Sequence, residues 1–239
     1  MIGRPRLVES LPQIPRIDVG YPKELPTEEL DGKRHYKTPA NQLYPSITTV
    51  LSGTKDTSFL VEWRKRVGEE EAKKITANSA RRGTGLHSIA ENYLEGNQTW
   101  FDQQASKLPH ESVLLWRQIQ PLIDRHVTHL YGTEVPLYSD ACQVAGRVDC
   151  IAKCDGIPTI VDFKNSRKLK RKEWIEDYFI QITAYAIMHF DLTGIMIPEG
   201  RIWIAVEGEQ AAQEFRFRTA HYIGKFQERR SQYRAMFGR

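Results

Sequence analysis

The stretch Gly146–Lys164, GRVDCIAKCDGIPTIVDFK, decides how the rest of the chain is read. Residues 146–152 alternate in polarity and residues 159–163 are β-branched and apolar, so both halves predict strands. Asp155-Gly156 between them is a tight-turn dipeptide, which makes the pair a hairpin. Each strand carries one aspartate, Asp149 and Asp162, where an apolar residue would pack better. A strand's period of two puts Lys164 on the face of Asp162, and Asp149 can reach that face from the neighbouring strand. Two carboxylates beside a lysine suit a hard cation next to a fixed positive charge. The same residues would also make a plain surface salt bridge.

Composition sets the frame around this hairpin. With 239 residues, 40% hydrophobic and 27% charged, the chain can bury a full core. A net charge of +4 fits a polyanionic partner without requiring one. The three cysteines, Cys142, Cys150 and Cys154, are too few for a disulfide framework and contain no C-x-x-C pair for zinc, so reduced, packed thiols are expected. No apolar run approaches the ~20 residues of a membrane span. The N-terminus lacks both the apolar core of a signal peptide and the acid-poor, serine-rich character of a transit peptide. An intracellular protein with no membrane partner is expected.

Residues 1–45 hold seven of the twelve prolines (Pro5, Pro12, Pro15, Pro22, Pro26, Pro39, Pro45), which argues for an extended arm. A small hairpin at Asp31-Gly32 would pair Leu30 with His35-Tyr36, and Ile14, Ile17, Val19, Tyr21 and Tyr36 favour an arm that wraps the core. Residues 46–239 read as one domain. Ser46 caps a short helix to residue 52, and helices follow over 58–67 and 69–80. Arg81-Arg82-Gly83-Thr84 reads as a basic break before another helix over 85–94, and residues 110–131 as a long helix kinked near Pro121. Strands are expected over 134–138, 143–152 and 158–165, then a helix over 174–190, strands over 201–206 and 214–218, and a closing helix over 221–237. This order predicts an α/β fold, a central mixed β-sheet flanked by helices with a helical N-terminal half.

Several polar residues converge on the hairpin in this reading. His87 and Glu91 share a helix face beside the apolar stripe of Leu86, Ile89, Ala90 and Tyr93, where a histidine equally packs or faces solvent. A helix starting behind Arg81-Arg82-Gly83-Thr84 would suit phosphate. Gln181 and Tyr185 form a further i,i+4 pair that would hydrogen-bond phosphate or a lysine, or only pack. Charge runs are usually solvated, but Arg167-Lys168-Leu169-Lys170-Arg171-Lys172 leaves the strand that holds Asp162 and Lys164, where a phosphodiester would lie.

Taken in order, Gly83-Thr84-x-x-His87, Gly146-x-x-Asp149, Asp162-x-Lys164 and Gln181-x-x-x-Tyr185 resemble the RecB-like branch of the PD-(D/E)XK nuclease superfamily. Within it, the segment from Tyr44 to Gly96 is similar to the mitochondrial genome maintenance exonuclease group and its phage relatives. The resemblance runs from about Tyr44 to Tyr185 and implies a restriction-endonuclease-like core. It implies Asp149 and Asp162 as metal carboxylates, the Phe163 carbonyl as a main-chain ligand, and His87 near or on the metal. It makes Lys164 the residue that orients or activates water. Gln181 and Tyr185 would support the site and the DNA, and Arg81, Arg82, Thr84, Ser166, Arg167 and Lys168 would contact DNA. Glu134 sits where some relatives carry another acid.

Many RecB-like nucleases hold an iron–sulfur cluster on four cysteines; with three, this chain is expected to have none. The implied activity is a Mg²⁺- or Mn²⁺-dependent deoxyribonuclease, an exonuclease hydrolysing single-stranded DNA from a free end. A structure-selective endonuclease and a non-catalytic single-stranded-DNA-binding subunit with a nuclease fold are the alternatives. DNA, preferably single-stranded, and replication or recombination proteins are the implied partners. The implied place is the cytoplasm of a bacterial or phage-infected cell, since the N-terminus is not transit-like.

Overall fold

A computed structural model describes residues 7–8, 10–104 and 107–238. Of the proline-rich arm, Pro5 lies outside them. The expected hairpin is the centre of the molecule. Strands β5 (Val144–Cys154) and β6 (Ile157–Ser166) pair antiparallel from Cys154↔Ile157 to Cys150↔Val161. Asp155 at φ 52° and Gly156 at φ 81° make the tight turn, both in the left-handed region that Asp-Gly tolerates.

Beyond Cys150↔Val161 the two strands part. β5 keeps pairing with β4 (Val127–Ser139) as far as Val144↔Ser139, while β6 pairs parallel with β7 (Glu199–Val206) as far as Ser166↔Val206. β8 (Gln213–Arg218) closes a five-stranded mixed sheet in the order β4-β5-β6-β7-β8. A parallel neighbour needs a crossover, and helix α6 (Glu176–Thr193) supplies it between β6 and β7.

Helices cover both faces. On one, α1 (Ile47–Gly53), α6 and α7 (Ile223–Phe237) bury Ile47, Val50, Ile182, Tyr185 and Phe226 against Val148, Ile151 and Ile160. On the other, α3 (Glu69–Leu94) and α5 (His110–His126) bury Leu86, Ile89, Trp116 and Ile119 against Cys150, Val161, Phe163 and Trp203. Helix α6 is buried on nearly every side, because α1 and α7 cover the face turned from the sheet, so its expected single stripe is an underestimate. Ser46 caps α1 by accepting from the Thr49 N–H at 3.0 Å. The cysteines are free thiols, with Cys150 and Cys154 buried. No described helix is long and apolar enough to cross a membrane.

Three expectations are corrected. The basic break at residues 81–84 is absent, and α3 runs unbroken for 26 residues. Its glycines serve close packing instead. A Cβ on Gly85 would sit 2.3 Å from Ser112 Oγ of α5, and one on Gly83 would sit 2.8 Å from Asn165 Nδ2 of β6. The helix expected over 110–131 ends at His126, and residues 127–131 open β4, where Leu130 is buried against the sheet. In the arm, β1 (Thr27–Leu30) and β2 (Lys33–Lys37) form the expected hairpin, but Leu30 pairs with Lys33 and Tyr36 with Thr27. The two-residue Asp31-Gly32 turn dictates that register. β3 (Leu43–Pro45) completes this small sheet, and Arg16 bridges to Leu130 of β4. Helices α2 (Ser58–Val67) and α4 (Gln98–Gln104) complete the described strands and α-helices; the second has no counterpart in the sequence reading.

Candidate metal centre

The site lies in the fork where β5 and β6 separate. Asp149 stands one residue beyond the last β5–β6 pair. Its Oδ2 accepts from the Phe163 N–H at 2.9 Å, so a side chain takes the place of a ladder carbonyl. Across the other ladder, Thr133 pairs with Cys150 and Val135 with Val148, which sets Glu134 opposite Asp149. Glu134 has φ 48°, a left-handed backbone in mid-strand, and such strain collects at functional sites.

Helix α3 brings His87 to the same point. Its Nε2 lies 2.8 Å from the Phe163 carbonyl oxygen, and its Nδ1 lies 3.6 Å from Asp149 Oδ1 and 4.0 Å from Glu134 Oε1. A carbonyl only accepts, so Nε2 carries the hydrogen. In the neutral ring Nδ1 then presents its lone pair toward the two carboxylates. The Phe163 carbonyl, expected to offer itself to a metal, holds the imidazole in place, and that bond leaves the oxygen a second lone pair. Ligand atoms of His87, Glu134 and Asp149 lie within 4.8 Å of one another, close enough for one six-coordinate cation.

Electrostatics agree with that donor set. Burial, followed by the Asp149 charge, pushes the Glu134 carboxyl up to about 7. Burial and Glu95 likewise raise Glu91, one turn beyond His87. Burial is the larger cause in both, and a bound cation would favour the ionised carboxylates.

Asp162 and Lys164 adjoin this cluster on β6. Asp162 is 1% exposed, and its Oδ2 lies 2.5 Å from Lys164 Nζ. That oxygen has no hydrogen bond of acceptable angle, while Oδ1 meets Gln181 Nε2 at 3.5 Å. Burial raises the Asp162 carboxyl against the pull of Lys164. For Lys164, burial opposes the charge, but Asp162 and Asp149 outweigh it and hold the ammonium above its ordinary value. The contact distance and that sign make the pair ionic at neutral pH. Behind it, Gln181 Nε2 donates to Tyr185 Oη at 3.2 Å. A Cβ on Gly146 would sit 2.6 Å from Tyr185 Cε1, so this glycine lets the ring pack under β5.

The residues expected to contact DNA are dispersed. Arg82 and Arg167 approach Glu207 at 3.8 and 3.7 Å, beside a cavity of about 340 Å³ that Asn165 and Ser166 also line. Ser166 Oγ accepts from the Lys168 N–H and donates to its carbonyl. Arg81 and Thr84 line a different cleft with Ser88, Trp100 and Lys107, and among the described residues no carboxylate lines it. With α3 continuous, no helix N-terminus faces a phosphate there. Glu134 is the residue that local sequence pattern could not place, because its role depends on register and an unusual backbone angle.

Fold and site together define a mixed α/β protein with a carboxylate–imidazole cluster in the fork of its sheet. No family model matches the chain. It is 27% identical over 184 residues to mitochondrial genome maintenance exonuclease 1 of Homo sapiens, covering 72% of this chain and 52% of the relative. It is 24% identical over 209 residues to that of Mus musculus, covering 79% and 60%. The chain thus spans about half the length of the curated relatives it matches. The solved structure of SSO0001 aligns over 80% of this chain and 75% of its own, with 15% identity and a TM-score of 0.44.

Proposed function

We propose that this chain is a divalent-cation-dependent deoxyribonuclease that degrades single-stranded DNA from a free end, on a PD-(D/E)XK-type core formed by residues 46–239, with residues 1–45 as an arm. The observation that carries the reading is the meeting of His87, Glu134 and Asp149 in the sheet fork, beside the pair of buried Asp162 with half-buried Lys164. Similarity to proteins named as exonucleases supports DNA as the substrate and end-directed cutting.

The donor set is an imidazole with carboxylates, which suits Mg²⁺ and, with the nitrogen ligand, Mn²⁺. Such a cation would lower the pKa of water and neutralise phosphoryl charge. The chain's own residues do the rest. Asp149 ties the fork together through the Phe163 N–H, and the Phe163 carbonyl orients His87. Lys164, held charged by Asp162, places a fixed positive charge beside the carboxylates, where it would stabilise negative charge developing on the phosphoryl oxygens during attack. Gln181 supports Asp162 from α6.

The test is digestion of end-labelled single strands with Mg²⁺ or Mn²⁺ against duplex and RNA controls. Cation-dependent loss of the linear DNA strand is expected. Binding without cleavage under every cation would leave the alternative of a non-catalytic DNA-binding subunit.

A further inference from the structure

The loop that leaves β6 carries a feature the catalytic reading does not use. Between Arg167 and Lys172 five of six residues are cationic, and the exception, Leu169, is 53% exposed. Trp174 follows in a single 3-10 turn (Lys172–Trp174) and is 62% exposed, although Trp116 and Trp203 are fully buried. An exposed indole among cations offers a flat ring face beside positive charge.

The loop is built rather than frayed. Ser166 Oγ grips the Lys168 backbone, and the Gln213 side chain of β8 accepts from the Lys170 N–H at 2.7 Å and donates to its carbonyl at 3.0 Å. Those bonds fix the backbone; Lys168, Arg171, Lys172 and Trp174 are exposed, Lys170 is half-buried, and the exposed Arg167 lies 3.7 Å from Glu207 at the cavity rim. The Arg171 guanidinium lies over the Trp174 ring at 5.3 Å, which extends the flat surface and gives it positive charge. The helix that follows the platform, α6, reaches the site. Tyr178, four residues after Trp174, has its ring 5.1 Å from Lys164 Nζ.

We propose that Trp174, with Arg171 against it, is a base-stacking platform that binds an unpaired nucleotide of single-stranded nucleic acid whose phosphates lie along Arg167, Lys168 and Lys170. A flat ring with flanking cations matches a base with its phosphate, and it discriminates by strandedness because a duplex keeps its base faces covered. The proposal rests on the nuclease reading for its substrate class and names the residue that selects single strands.

The experiment is fluorescence anisotropy of a labelled oligothymidylate and of a matched duplex in chelator, with wild type, Trp174→Ala and Trp174→Tyr. Trp174→Ala should weaken single-strand binding about ten-fold, Trp174→Tyr should recover most of it, and duplex binding should barely change. An unchanged single-strand affinity in Trp174→Ala, an equal loss for both ligands, or no single-strand binding by the wild type would overturn it. Chelator removes hydrolysis from the measurement. A Trp174-dependent binder that never cuts would sink the nuclease reading alone, and an active nuclease indifferent to Trp174 would sink the platform alone.

Discussion

Lys164 is in direct contact with the Asp162 carboxylate at the fork, and its contribution is electrostatic. Replacing it with alanine should lower kcat by roughly 10²–10³-fold, the range for losing one pre-placed stabilising group, with DNA binding largely kept. Near wild-type turnover in saturating Mg²⁺ would remove it from the mechanism. Asp149→Asn and Asp162→Asn keep shape and delete charge. Each should weaken cation affinity in calorimetry, and unchanged affinity in both would refute the site. His87→Ala should be milder than either in Mn²⁺.

Glu134 gives a pH dependence with a definite sign. Its carboxyl titrates near 7 in the fold against 4.5 ordinarily, so the folded state holds the extra proton between those values. Cation-free stability should therefore fall as pH rises from about 4.5 to 7, and a bound cation should offset the loss. The gain in Tm on adding Mn²⁺ should be larger at about pH 8 than at about pH 5, and Glu134→Gln should remove most of that difference. A gain independent of pH, or unaltered by the substitution, would argue against Glu134 in the cluster. That Asp162 and Lys164 share a face was legible from strand alternation, and the hairpin brought Asp149 beside them. The place of Glu134 was not legible, because a left-handed residue in mid-strand leaves no periodic trace.

At the scale of elements, Gly85 is the sharpest test of how α3 meets α5. Alanine normally favours a helix interior over glycine by about 1 kcal/mol. Here its Cβ would meet Ser112 Oγ at 2.3 Å and Cβ at 2.7 Å. Crowding should win, and Gly85→Ala should cost about 1–3 kcal/mol in denaturant unfolding. Adding Ser112→Gly should recover part of it; a stabilised single variant would mean that the helices separate freely. This contact also explains what the sequence reading missed. Glycine after two arginines looks like punctuation, but in α3 it is a packing surface whose reason lies on another helix. Residues 127–131 looked helical because they extend an apolar pattern, and the partner that makes them a strand, residues 152–154 of β5, is remote in sequence. The β5–β6 hairpin was legible because its turn and both its strands are local.

For the whole molecule, the question is how a strand reaches the fork. Helix α2 buries none of its residues, and Phe59, Leu60 and Val61 are exposed beside Arg64, Lys65 and Arg66. If α2 and the start of α3 arch over the path, a strand must enter by its end. Linear single strands should then be degraded and circular ones spared, and binding should weaken steeply with salt. Equal loss of both forms would make the protein an endonuclease. The reading as a whole stands on the carboxylate–imidazole cluster in the fork. It is tested most directly by incubating end-labelled linear single-stranded DNA with wild type and with Asp149→Asn, in Mg²⁺, in Mn²⁺ and in chelator. The wild type should shorten the strand only where a cation is present, and Asp149→Asn should stay at background in all three. Cleavage that survives chelator, or an Asp149→Asn variant that cuts at the wild-type rate, would contradict it.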